Sequence, residues 1–176
     1  MVERVRQICD MSLRTAAPWL SWQNALRGAL VYTSGDTAAA LLLDQFTAAR
    51  MFGIMLVGST LYAVEIPAYF RWVERGFGGV GWRRTVAKAL LAQAFFNPLW
   101  IARHMALVKC FGGHFDEIDG RLLVTAIGSF LHILPVGVVM NYLIQNRVPL
   151  SWRFFASACY SAVTTLYFSL GEVLFG

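Results

Sequence analysis

The chain has 176 residues, 57% of them hydrophobic and only 14% charged, with a mean hydropathy of +0.55. A soluble domain carries about 25% charged residues, so this composition excludes an ordinary water-coated globule and indicates a single membrane-embedded domain over 1–176. The net charge of +5 does not point to nucleic acid, because no basic tract interleaved with aromatics occurs and the basic residues sit in the gaps between apolar runs.

In chain order, residues 1–19 form a basic N-terminal segment carrying Arg4, Arg6 and Arg14. Glu3, Asp10 and the lack of an apolar core argue against a cleaved secretory signal, and the two acids leave a mitochondrial presequence poorly supported. The helical bundle is expected over 20–175. Its first segment, about Trp22 to Leu43, contains both Arg27 and Asp36. The second, Met51 to Val64, is apolar and then meets Glu65 and Pro67. A glycine-rich basic loop, "RGFGGVGWRR" at 75–84, follows. The third segment, Ala89 to Ala102, lies between Lys88 and Arg103 and holds Asn97-Pro98. After "KCFGGHFDEIDGR" at 109–121 come two spans free of Asp, Glu, Lys and Arg, Leu122 to Asn146 and Phe154 to Gly171, divided by "QNRVPLSWR" at 145–153. Both approach or exceed the roughly 20 residues that cross about 30 Å of hydrocarbon. The fold class expected is an all-α integral membrane bundle of four to five transmembrane helices. If the first four segments span, Arg4, Arg6, Arg14, Arg71, Arg75, Arg83, Arg84, Arg147 and Arg153 share one side. Arg50, Lys109, Arg121 and the acids Asp116, Glu117 and Asp119 then take the other, which agrees with the positive-inside rule. The six tryptophans lie mostly near segment ends, as an aromatic belt requires.

Polar residues within the segments are the candidates for function. Arg27 and Asp36 are nine positions apart, too far for an i,i+4 pair. Each therefore needs a partner on another helix or at an interface. Glu65, Lys88, Gln93, Asn97, Arg103 and His132 are available, and Arg50 or Lys88 is the preferred cation for Asp36. Gly35 permits a close backbone approach beside that carboxylate. Such groups line relays and pores or pair to fix helix register, and packing is the expected use. His132, alone on an apolar helix, is expected to hydrogen-bond between helices. "HFDEID" is expected to be a solvated acidic loop, because it lacks a rigid coordination spacing. No metal site or cofactor is expected. Cys9, Cys110 and Cys159 are odd in number and far apart, which supports neither a disulfide framework nor a zinc site. With no G-x-S-x-G, H-E-x-x-H or Walker-type loop, no enzyme activity is expected.

Read in order, these landmarks resemble the family of the 22-kDa peroxisomal membrane protein, which includes the mitochondrial inner-membrane protein Mpv. Trp22, Thr33 and Gly35-Asp36 fit its first helix. Lys88, Gln93 and Pro98 of "KALLAQAFFNP" fit its third, and Pro135, Asn141 and Tyr142 its fourth. "VPLSWR" and the final "YFS" fit the last. Ala40, Ala92 and Thr164 stand where the family pattern has Gln, Asp and Trp. The resemblance implies a compact bundle of about four membrane helices in the mitochondrial inner or peroxisomal membrane, a channel role and no catalysis. Two functions are expected from it. One is a pore lined by Asp36, Glu65, Lys88, Gln93 and Asn97. The other, motivated by the lost polar positions, is an accessory subunit of a larger mitochondrial membrane complex such as a respiratory or ATP-synthase assembly. The expected partners are the lipid bilayer and other membrane subunits, whether copies in a homo-oligomer or members of such a complex.

Overall fold

The computed structural model describes residues 21–79 and 81–175; the basic segment at 1–19 and Cys9 lie outside them. The described residues form five helices and no strands, so the all-α expectation is met. We label them α1 (Trp22–Leu42), α2 (Ala48–Phe77), α3 (82–112), α4 (Gly120–Arg147) and α5 (Leu150–Phe175). Among the described residues, two helices are long and apolar enough to cross a bilayer, α2 and α4. At 28 residues, α4 is about 42 Å long.

Local chemistry sets the helix boundaries. Thr47 caps α2 by accepting the Arg50 amide, and Asp119 caps α4 by accepting those of Arg121 and Leu122. At the end of α3, Gly113 takes a left-handed conformation (φ 85°), a stop that glycine adopts without penalty. α2 and α3 run well beyond the apolar segments read from sequence, because each absorbs a proline. Pro67 and Pro98 lack an N–H and crowd the carbonyl four residues earlier. A widened π-turn precedes each, at Gly58–Tyr62 and Ala92–Phe96, and the helix continues through. Of the expected loop at 75–84, residues 75–77 belong to α2 and 82–84 to α3.

α1 packs chiefly on α5 and α2, whereas α3 packs on α4 and α2. α4 and α5, although consecutive, touch far less. The core is built from Tyr32, Ile54, Tyr62, Ile66, Phe70 and Phe154, all nearly inaccessible. Large apolar side chains such as Phe52, Leu131, Val139 and Val163 cover the outside instead, as suits a surface solvated by acyl chains. The helices alternate in direction. Gln45 of the first turn and Asp116 of the third border one cavity at one end of the bundle, and Glu74, Lys88 and Arg153 meet at the other.

Candidate functional site

Gly35 and Asp36 sit on the buried face of α1. A Cβ on Gly35 would stand 2.7 Å from that of Ala162, so the missing side chain lets α5 close on α1. Asp36 meets Arg50 rather than Lys88. Arg50 donates through Nε to Oδ2 (2.9 Å) and through a terminal nitrogen to Oδ1 (2.8 Å). Both side chains are more than nine-tenths buried. Two parallel bonds of this kind are the strongest arrangement a carboxylate and a guanidinium can form. The Thr47 cap places Arg50 in the first turn of α2, from which it reaches back across the connection to α1.

Beneath this pair, Tyr32, Tyr62, Trp100 and His104 form an aromatic cluster. Trp100 stacks on His104 at 4.9 Å between ring centroids, and the Tyr62 hydroxyl lies 3.0 Å from His104 Nδ1. His104 is thus buried within α3. Beside them lies a cavity of about 710 Å³, bounded by all five helices, with α4 and α5 in little contact beside it. It opens toward Gln45, Asp116 and Asp119 and ends at Ile66, Asn97 and Asn141. At the mouth, Lys109 pairs with Glu117 and Arg121 with Asp119. The Lys109 ammonium holds the Glu117 carboxyl below the usual carboxylate range.

The landmark amides converge at the closed end of the cavity. Asn97 donates to the Gln93 side-chain oxygen (3.1 Å), and Asn141 donates to the Gly137 carbonyl (2.9 Å). A Cβ on Gly137 would meet Gln93 Nε2 at 2.8 Å and the Tyr160 hydroxyl at 3.4 Å, so this glycine lets α3, α4 and α5 meet there. Gln145, one turn beyond Asn141, is fully buried. Further on, Glu74 of α2 binds both Lys88 of α3 (3.0 Å) and Arg153 of α5 (2.7 Å). This three-helix clamp closes the basic end.

The remaining candidates are spread apart. Glu65 pairs with Arg103 at 2.7 Å. Arg27 donates to the Ser151 carbonyl and lies over the Trp152 ring, 4.2 Å from its centroid. His132 Nε2 lies 3.0 Å from the Tyr167 hydroxyl on the outer side of the bundle, which makes it the interhelical hydrogen-bonder expected. Pro98 opens the helical stretch after the second π-turn. Of the five residues expected to line a lumen, Asp36 and Asn97 border the cavity, and Glu65, Lys88 and Gln93 do not. Glu74, Gly137, Tyr160 and the serines of α5 were not singled out from sequence. The last had a visible signal, because Ser157, Ser161, Thr165 and Ser169 recur every four residues on an otherwise apolar helix.

No family profile and no solved structure matches the chain. It is similar to PXMP2/4 family protein 1 of Dictyostelium discoideum, 26% identical over 95 residues. The match covers 52% of this chain, which spans about half (47%) of that relative's length. The similarity is to the same group that the polar landmarks pointed to, the family of the 22-kDa peroxisomal membrane protein and Mpv.

Proposed function

We propose that the protein is a non-enzymatic membrane channel in which all five helices span the bilayer and the cavity is the wide part of a solute path. The observation that carries this reading is the cavity itself. It sets polar side chains among apolar and aromatic ones, opens at the end bearing the 113–119 turn, and runs past Asp36–Arg50 to the amides at its closed end. Polar side chains gathered at membrane depth face bundle interiors and water-filled paths rather than lipid. Five spans put 1–19 and the Arg71 to Arg84 region on one side and Asp116 to Asp119 on the other, with the basic side in the inner compartment. The membrane is the mitochondrial inner membrane or the peroxisomal one. In reconstituted vesicles, the protein is expected to admit small solutes that empty vesicles exclude. Well-folded protein that leaves vesicles tight defeats the reading.

The second reading, an accessory subunit of a larger membrane complex, rests on α4. Its outer face (Val124, Ile127, Leu131) is exposed, and nothing lies within 4 Å of a Cβ built on Gly128. Blue-native electrophoresis of a mild-detergent extract separates the two. Migration with a large complex supports this reading, and migration as a monomer or small homo-oligomer supports the channel.

A further inference from the structure

The cavity wall has a composition that bears on what it holds. Its charges are neutralised within the protein. Asp36 and Arg50 satisfy each other through two bonds, and the charged residues at the mouth pair among themselves, Asp116 excepted among the described residues. An ion entering such a space would shed part of its hydration shell. Past Asp116 at the mouth, neither a free counter-charge nor a ring of open carbonyls is there to replace it, since helical carbonyls are already hydrogen-bonded.

What the wall offers instead is hydroxyl groups of both polarities. Thr164 and Thr165 donate to the carbonyls of Tyr160 and Ser161 one turn earlier, which leaves their oxygens as acceptors toward the cavity. Ser129 on α4 and Ser157 and Ser161 on α5 also line it; Ser129 and Ser157 form no side-chain hydrogen bond within the described part of the protein, and Ser161 lies beside the Tyr32 hydroxyl. Each hydroxyl carries a proton to give. Between these hydroxyls lie aromatic faces, Trp100, Phe96, Phe130 and Phe168. Donors, acceptors and apolar faces together match a molecule that carries hydroxyls on a C–H skeleton. The volume lies in the range of roughly 300–1,000 Å³ typical of small-molecule sites.

We propose that the cavity binds and passes small uncharged polyols or sugars in preference to ions. This rests on the channel reading for passage but not for binding, so the two can be tested apart. Ribitol and potassium chloride serve as probes. In phosphatidylcholine vesicles containing the protein, swelling in ribitol is expected to outpace swelling in potassium chloride. In detergent, ribitol is expected to raise the melting temperature in a saturable way. The double variant Ser157→Ala, Ser161→Ala removes two cavity-lining hydroxyl donors without touching Asp36–Arg50. Its half-saturating ribitol concentration is expected to rise about tenfold, the size of effect that losing two modest hydrogen bonds produces. Ser129→Leu, on the loosely packed α4, is expected to block both swelling and the thermal shift by filling the cavity. If ribitol shifts the melting temperature in a serine-dependent way while vesicles stay tight, the site stands and the channel reading falls. If salt passes as fast as ribitol and no thermal shift occurs, the channel stands and this proposal is overturned. A folded double variant with unchanged half-saturation also overturns it, as does the absence of both swelling and shift.

Discussion

α5 has two faces, and its two neighbours meet it in different ways. Against α1, the contact is closed by small residues, with Gly35 fitting onto Ala162 and Gly28 lying against Gly58 of α2 with the Phe154 ring beside it. Toward α4, the same helix carries hydroxyls and aromatics and the helices diverge around a cavity. Both seams run along the same helix, so the contrast lies in the side chains that face each other. In a bilayer, no hydrophobic force pulls helices together, and residue size decides how close they come. A tight seam against α1 and α2 anchors α5, which leaves its other side able to border a space.

The largest expected effects come from forcing the tight seam apart. A side chain on Gly28 would run into the backbone of Gly58, and one on Gly35 into the Cβ and Cα of Ala162. Because rigid backbone cannot swing away, Gly28→Leu and Gly35→Leu are expected to abolish folded protein in detergent, read as loss of a monodisperse peak in size-exclusion chromatography. A folded Gly28→Leu variant would mean that α1 and α2 are not in backbone contact.

Next in size is the ion pair at the edge of that seam. Removing one member of a buried pair leaves a bare charge in low dielectric, at a cost of about 3–5 kcal/mol. Asp36→Ala is expected to lower the melting temperature strongly, and Asp36→Asn less, because the amide still accepts from Arg50. A joint Asp36→Leu, Arg50→Met replacement is expected to recover much of the loss, since the penalty belongs to the uncompensated charge and not to the absence of the pair. If the double variant is no better than Asp36→Ala, the guanidinium makes other contacts that matter more.

How much of this was legible from the residues follows from how local the signals are. The five helices and Gly35-Asp36 were readable, because apolar runs and a small residue beside a lone acid are features of short stretches. Arg50 was one of two named partners for Asp36, and geometry chose it because the Thr47 cap folds the chain back within a few residues. Glu74 was not anticipated. Its role arises only when α2, α3 and α5 come together, and the partners are 14 and 79 residues away. The reach of α2 and α3 was also underestimated, because a π-turn before a proline leaves no clear mark in composition. The cavity needed the divergence of α4 from α5, which depends on the summed size of facing side chains and not on any single motif.

Glu74 supplies a prediction of intermediate size. It holds Lys88 and Arg153, both nearly buried, from a position that is one-third exposed itself. Glu74→Gln leaves two cations close together without a counter-charge, at a cost of about 2 kcal/mol given partial hydration. The melting temperature is expected to fall, and to recover in part when Lys88→Met is added. A greater fall in the double variant would show that Lys88 serves something other than the clamp.

The smallest expected effect uses the same kind of residue as the largest. Gly128 lies in α4, exposed, and an added Cβ there meets nothing within 4 Å. Glycine in a helix interior costs roughly 0.5–1 kcal/mol relative to alanine through the freedom it loses on ordering. Gly128→Ala is therefore expected to leave folding intact and to raise the melting temperature slightly, whereas substitution at Gly28 destroys the fold. The sign of this small change carries more than its size. If the isolated protein behaves as expected but Gly128→Ala destabilises it in native membranes, something covers the outer face of α4 there. That outcome, with a shift to smaller species on a native gel, would favour an accessory subunit over a free-standing channel. An unchanged native-gel position would leave α4 facing lipid and the open seam as part of the protein's own path.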